Sequence, residues 1–61
     1  STREVEVLEM LALGQANKVI ARTLDISPNT VKTHIGRLFE KLEVASRTQA
    51  IRRARELQIL P

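Results

Sequence analysis

The chain has 61 residues, and ten Lys or Arg against seven Asp or Glu give it a formal net charge of +3. It has no Cys and one His, which excludes a disulfide framework and a Cys/His zinc site and fits a reducing compartment such as the cytoplasm. No apolar run approaches the roughly 18 residues that a membrane span requires. We therefore expect a single small cytoplasmic domain that binds no metal or other cofactor and makes no membrane contact.

The composition favours an all-α fold, because Leu, Ala, Ile, Val, Arg and Glu dominate while Gly and Pro occur only twice each. Ser1 followed by Glu4 has the spacing of a helix-capping box, and apolar residues then recur at helical spacing as far as Ala12. Gly14 is placed to end this first helix in a left-handed conformation. A short second helix is predicted from about Asn17 to Leu24.

The start of the third helix is the clearest local signal. Ser27 can cap it, and Pro28 occupies the first helical position, where its missing amide proton costs nothing. The helix is predicted to end near Leu42, and its inner face to comprise Val31, Ile35, Leu38 and Leu42. Ser46, with Gln49 three residues later, predicts the start of a fourth helix. The apolar stripe of that helix comprises Ala50, Ile51, Ala54 and Leu57.

Charge is unevenly distributed along the chain. Residues 1–16 have one base and three acids, a net charge of −2, whereas residues 17–61 have nine bases and four acids, a net charge of +5. A basic surface of this kind indicates an anionic partner, although it is also typical of an ordinary solvated surface. A short helix, a turn of about three residues and a longer helix match the helix-turn-helix module, whose second helix enters the DNA major groove.

The outer side of the third helix has groups suited to DNA. Lys32 can donate to guanine, Asn29 can pair with adenine or bind phosphate, and Thr33 offers both a hydroxyl and a methyl group. Free amides at the starts of the second and third helices favour phosphates. The candidate phosphate contacts are Asn17, Lys18, Ser27, Thr30 and Arg37.

Several segments occur in the order and spacing of a known family. They are residues 1–5, Gly14, and residues 17–21, 26–35, 41–42 and 46–47. Together they resemble the C-terminal DNA-binding domain of the LuxR/GerE/FixJ family of bacterial transcription regulators. The resemblance implies one four-helix helix-turn-helix domain over residues 1–61, and the start at Ser1 rather than Met leads us to expect that it is excised from a longer regulator. Residues 47–57 look most like the MalT-like members.

The resemblance also implies a function: sequence-specific binding of double-stranded DNA, with residues 28–42 as the recognition helix in the major groove. It places Lys32, Thr33 and Gly36 at base-facing positions, with Asn29 as a further candidate. Many relatives have Lys or Arg where this chain has Gly36. Either the backbone approaches the groove floor closely there, or, as we favour, glycine is a tolerated variant with fewer base contacts.

The fourth helix is available for dimerisation in this family, so we expect a homodimer on a two-fold operator. The candidate dimer contacts are Ala50, Arg53, Ala54 and Leu57. The basic residues of this helix, among them Arg52 and Arg55, also allow it to lie on a membrane. Its small apolar residues instead favour packing on the first helix or on a second copy. A contact with RNA polymerase is a further expectation for a regulator of this class.

Three expectations concern individual residues of the motifs. Family members often have Ser or Thr where this chain has Ala16, so we expect Asn17 to cap the second helix. Glu43 stands where a glycine is common, and a left-handed conformation there would cost on the order of 1 kcal/mol. Glu4 and Arg47 either form a salt bridge between the first and fourth helices or are simply exposed.

Other function classes have less support. His34 as a catalytic base or metal ligand would need companion residues that the sequence lacks, so we expect it at the edge of the core, with a phosphate contact still open. For the same reason we expect no enzyme. The alternative function is a helical protein-interaction or dimerisation module that binds no DNA. Within DNA binding, a sigma-factor-like promoter domain is a second alternative.

Overall fold

The computed structural model describes residues 2–61, so the capping box predicted with Ser1 lies outside the described residues. This part of the chain forms four helices and no strand: α1 (Thr2–Ala12), α2 (Asn17–Leu24), α3 (Pro28–Leu42) and α4 (Arg47–Glu56). The all-α prediction is confirmed, and the predicted bounds of α2 and α3 agree with the structure. Over residues 2–61, every helix is too short or too polar to span a bilayer.

The helices enclose a small apolar core. α1 and α2 each pack against α3, and α4 packs against both α1 and α3. The largest fully buried side chains are Val7, Leu8, Leu11, Ile20 and Val31. The predicted inner face of α3 is confirmed at Val31, Leu38 and Leu42, whereas Ile35 is half-buried and packs at the edge of the core. This packing fixes which side of α3 faces solvent.

The apolar stripe of α4 divides into a buried and an exposed part. Ala50 and Ala54 both have 0% exposure, and their small side chains allow α4 to pack closely on α1 and α3. The prediction that these two residues contact a second copy is therefore wrong, because they have no free surface to offer it. Leu57 follows the end of α4 and is 49% exposed.

Two of the predicted helix caps are confirmed and one is wrong. The Ser27 hydroxyl accepts a hydrogen bond from the Thr30 amide at 3.1 Å. Ser46 accepts one from the Gln49 amide at 3.2 Å in the same way. At the start of α2, however, the N-cap is Ala16, which has no polar side chain, and Asn17 is already helical. The amides at the start of α2 therefore have no side-chain acceptor from the cap residue.

Left-handed residues end the first three helices. Gly14 has a φ of 81°, as predicted, and Glu43 has a φ of 56° at the C-cap of α3. Asp25 has the same φ at the C-cap of α2 and begins the turn to α3, which spans residues 25–27. The left-handed geometry considered for Glu43 is thus confirmed. A residue other than glycine in this conformation costs about 1–2 kcal/mol.

A buried carboxylate links α1 to α3. Glu4 is only 5% exposed, and Lys41 Nζ donates a hydrogen bond of 2.7 Å to its Oε1 atom. Arg47 Nη1 instead donates to the Gln15 carbonyl oxygen at 3.4 Å. Neither alternative for Glu4 and Arg47 holds for both residues: Arg47 is exposed, whereas Glu4 is buried and pairs with Lys41, because the packing of α1 on α3 brings the last turn of α3 beside it.

Candidate nucleic-acid interface

The turn before α3 holds the first residues of this helix in place. Besides accepting from the Thr30 amide, the Ser27 hydroxyl lies 2.9 Å from the Thr30 hydroxyl, so both hydroxyl groups share one hydrogen bond. Pro28 follows at the first helical position, where its fixed φ favours the helix. Ser27 and Thr30 are both exposed, which leaves the start of the helix open to solvent.

The outer side of α3 has one polar stripe, which we call the α3 stripe and define as Asn29, Lys32, Thr33 and Gly36. All four residues are exposed. They recur at spacings of three and four, which places them on one face of the helix. The outward position predicted for these residues is therefore confirmed, while their contact with bases stays a prediction.

Three positive charges on α2 and α3 have no ion-pair partner among the described residues. Lys32 and Arg37 on α3 and Lys18 on α2 are exposed. Within residues 2–61 none of the three has an ion-pair partner, whereas Lys41 and Arg53 pair with Glu4 and Glu56. Because Lys18, Lys32 and Arg37 are not neutralised within the chain, they remain available to an anion.

The start of α2 is a second anion-binding candidate. The backbone amides of Asn17 and Lys18 lie at the positive end of the helix dipole, and Ala16 offers them no side-chain acceptor. Asn17 is half-buried, and its Oδ1 atom is buried without a hydrogen-bond partner among the described residues. A phosphate would accept from the Nδ2 group of Asn17, and this contact stays a prediction.

Arg22 is a further exposed basic residue of α2. It follows Lys18 by four residues and so lies on the same face of that helix, a spacing that is visible in the sequence. His34 is half-buried, as predicted for the edge of the core, and its Nδ1 atom is buried without a partner among residues 2–61.

The candidate dimer contacts that remain exposed are Arg53 and Leu57. Arg53 Nη1 lies 3.8 Å from Oε1 of Glu56, and both side chains are about half-exposed. A separate groove along α4 is lined by Thr48, Ile51, Arg52, Arg55 and Glu56. This groove offers a mixed polar and apolar surface.

Comparison with known proteins identifies the family. Residues 1–54 match the family model described as "GerE: Bacterial regulatory proteins, luxR family". The CsgBAC operon transcriptional regulatory protein of Escherichia coli (strain K12) is 55% identical over 49 residues, which cover 80% of this chain and 23% of that protein. The HTH-type transcriptional regulator MalT of Vibrio cholerae is 42% identical over 55 residues, which cover 90% of this chain and 6% of that protein.

The fold agrees with a solved structure of the same kind of domain. The crystal structure of the response regulator ChrA from a heme-sensing two-component system superposes with a TM-score of 0.95 and 43% sequence identity. The match covers 98% of this chain and 30% of that one, so the chain spans less than a third of the proteins it resembles here. On the family match and this shared fold, the chain is a helix-turn-helix domain that belongs to the LuxR family of bacterial transcription regulators.

Proposed function

We propose that this domain binds double-stranded DNA in a sequence-specific way, with α3 as the recognition helix in the major groove. The observation that supports this most directly is the α3 stripe, a row of exposed polar residues that includes Lys32, together with the exposed charges of Arg37 on α3 and Lys18 on α2. The B-DNA major groove is wide enough for one α-helix. Side chains on the exposed face of α3 would then meet base edges.

We assign different residues to the contacts with bases and to the contacts with phosphates. Lys32 and Asn29 have the donors and acceptors that distinguish base pairs, so we assign them to specificity. Lys18, Thr30 and Arg37 lie at helix starts or beside the α3 stripe, and we assign them, with Ser27 and the amides at Asn17, to phosphates. Phosphate contacts set the register of the helix on DNA, while base contacts select the sequence.

Two copies on a two-fold operator would complete the site. One domain of this size makes few base contacts, and a second copy raises both the affinity and the length of sequence recognised. We assign the contact between copies to the exposed side chains of Arg53 on α4 and Leu57 at its end, because Ala50 and Ala54 are inside the core. Analytical ultracentrifugation with operator DNA of one or two half-sites tests this stoichiometry.

The protein that carries this domain is proposed to control transcription, as the names of the CsgBAC operon regulator and MalT state for those proteins. At a promoter it would either contact RNA polymerase or block it. A reporter gene placed behind the operator distinguishes the two, because loss of the protein lowers expression in the first case and raises it in the second.

The test of the proposed function is a selection of bound sequences from a pool of random duplexes. Sequence-specific binding predicts that one motif is enriched, and a two-fold dimer predicts two inverted copies at a fixed spacing. Binding should also fall steeply as salt rises, because contacts to phosphates release counterions. If the chain retains no duplex even at low salt, the protein-interaction module is the better explanation.

A further inference from the structure

The hydroxyl group of Thr33 is already engaged within α3. Its Oγ1 atom donates a hydrogen bond of 3.1 Å to the carbonyl oxygen of Asn29, one turn earlier. The side chain is nevertheless exposed, at the middle of the α3 stripe. The structure therefore holds the side chain in one orientation, with its only hydroxyl proton directed at the helix backbone.

This hydrogen bond limits what Thr33 can offer to a base. A threonine hydroxyl has one proton to donate, so a proton bound to the Asn29 carbonyl is not available to guanine O6 or thymine O4. The γ-methyl group takes no part in hydrogen bonding. It is the part of the side chain that remains free to contact a base edge, and the 5-methyl group of thymine is the apolar group on the floor of the major groove.

The neighbouring position on the α3 stripe leaves this methyl group uncovered. Gly36 follows Thr33 by three residues and lies on the same face of α3. A Cβ atom added at Gly36 would meet nothing within 4 Å. Open space thus lies at Gly36, where a longer side chain would otherwise reach.

We propose that Thr33 recognises thymine through contact of its methyl group with the thymine 5-methyl group, in the space that Gly36 leaves open. This inference rests on the proposed function and adds to it the base that one position of the operator must contain. The methyl group of Thr33, and not its hydroxyl group, would then select the base.

The experiment removes the methyl group from the DNA and from the protein in turn. Each thymine of the selected operator is replaced singly by deoxyuridine, which lacks only the 5-methyl group, and the affinity of the 61-residue chain is measured by competition. The same duplexes are titrated with Thr33→Val, which keeps a methyl group and loses the hydroxyl, and with Thr33→Ser, which does the reverse. Circular dichroism confirms that each variant is folded.

The matched control is Thr23→Ser on α2. Thr23 is exposed, and its hydroxyl donates to the Val19 carbonyl oxygen at 2.9 Å, so its local geometry is the same as that of Thr33. It is outside the α3 stripe. Thr23→Ser should therefore show the same deoxyuridine effect as the parent chain.

We expect one thymine per half-site at which deoxyuridine lowers the affinity of the parent by about fourfold, the effect of losing one buried methyl-sized apolar group. Thr33→Val should keep this difference, and Thr33→Ser should abolish it. The inference is overturned if no thymine shows the effect, or if Thr33→Ser shows it as the parent does. Failure to bind any duplex is a distinct result, which would overturn the proposed function as well.

Discussion

Lys41 and Glu4 form a hydrogen-bonded ion pair of 2.7 Å that joins the last turn of α3 to the first turn of α1. The Glu4 carboxylate is buried, while the Lys41 side chain is 61% exposed. The hydrogen bond from Lys41 holds the pKa of Glu4 below its ordinary value of 4.5. The pair therefore connects α3 to α1 through a group that titrates in acid.

This ion pair predicts a pH-dependent stability. Because the pKa of Glu4 is lower in the folded chain than in the unfolded chain, its contribution is present above pH 4.5 and is lost as the pH falls through the folded pKa. Glu4→Gln should lower the unfolding temperature at neutral pH and reduce the change in unfolding temperature between neutral pH and about pH 3.

Thermal unfolding followed by circular dichroism checks this prediction. Glu9→Gln is the control, because Glu9 lies on the same helix but is exposed. It should keep the acid-dependent loss of stability that the parent shows. An unfolding temperature that depends on pH equally in Glu4→Gln and in the parent would refute the role given to this pair.

Removing the caps of α3 and α4 should lower the stability of the domain in both cases, but should weaken DNA binding only for α3. Ser27→Ala and Ser46→Ala each remove one capping hydrogen bond, so each should lower the free energy of unfolding by about 1 kcal/mol. Only Ser27→Ala should also weaken DNA binding, because Ser27 lies at the start of α3, the helix that we propose enters the major groove. Urea denaturation and operator titration measure the two effects, and equal loss of affinity in both variants would contradict the assignment.

The left-handed residue at the end of α3 predicts a stabilising substitution. Glu43→Gly should raise the free energy of unfolding by about 1 kcal/mol, because glycine adopts this conformation without strain. Asp25→Gly should gain less, since aspartate tolerates the left-handed region better than glutamate. Urea denaturation measures the free energy of unfolding of both variants. A larger gain for Asp25→Gly than for Glu43→Gly would contradict the strain assigned to Glu43.

Gly36 predicts a second gain in stability. Gly36→Ala should raise the free energy of unfolding by about 1 kcal/mol, because alanine favours the helix and its Cβ would meet nothing within 4 Å. Operator affinity then distinguishes the two interpretations of this glycine. Unchanged affinity indicates a tolerated variant, whereas a large loss indicates close approach of the backbone to the DNA. A fall in stability would contradict the open space around Gly36.

Local features of the chain could be predicted from the sequence because they depend on residues near one another. Ser27 and Pro28 determine where α3 begins, and the spacing of Val31, Leu38 and Leu42 determines its inner face. The exposed face, and with it the position of the α3 stripe, follows from that pattern. Likewise, Ser46 and Gln49 predicted the start of α4.

Features that depend on the relative placement of helices could not be predicted in this way. The partner of Glu4 is Lys41, which is 37 residues away, and only the packing of α1 on α3 brings the two together. The small residues Ala50 and Ala54 fit equally well in a core or in a dimer interface, and their spacing does not distinguish the two. The hydrogen bond from Thr33 to Asn29 needed a side-chain orientation, which the sequence leaves open.

The central claim is that the α3 stripe contacts DNA bases while the charges around it contact phosphates. Titration of the selected operator and of a random duplex at several salt concentrations, with the parent, Lys32→Ala and Lys18→Ala, tests it most directly. Lys32→Ala should lose about 1–3 kcal/mol of binding free energy on the operator and relax the preference at one base pair. Lys18→Ala should weaken both duplexes alike and lower the salt slope by about one unit. If Lys32→Ala binds operator and random duplex as the parent does, then α3 does not recognise bases through this face.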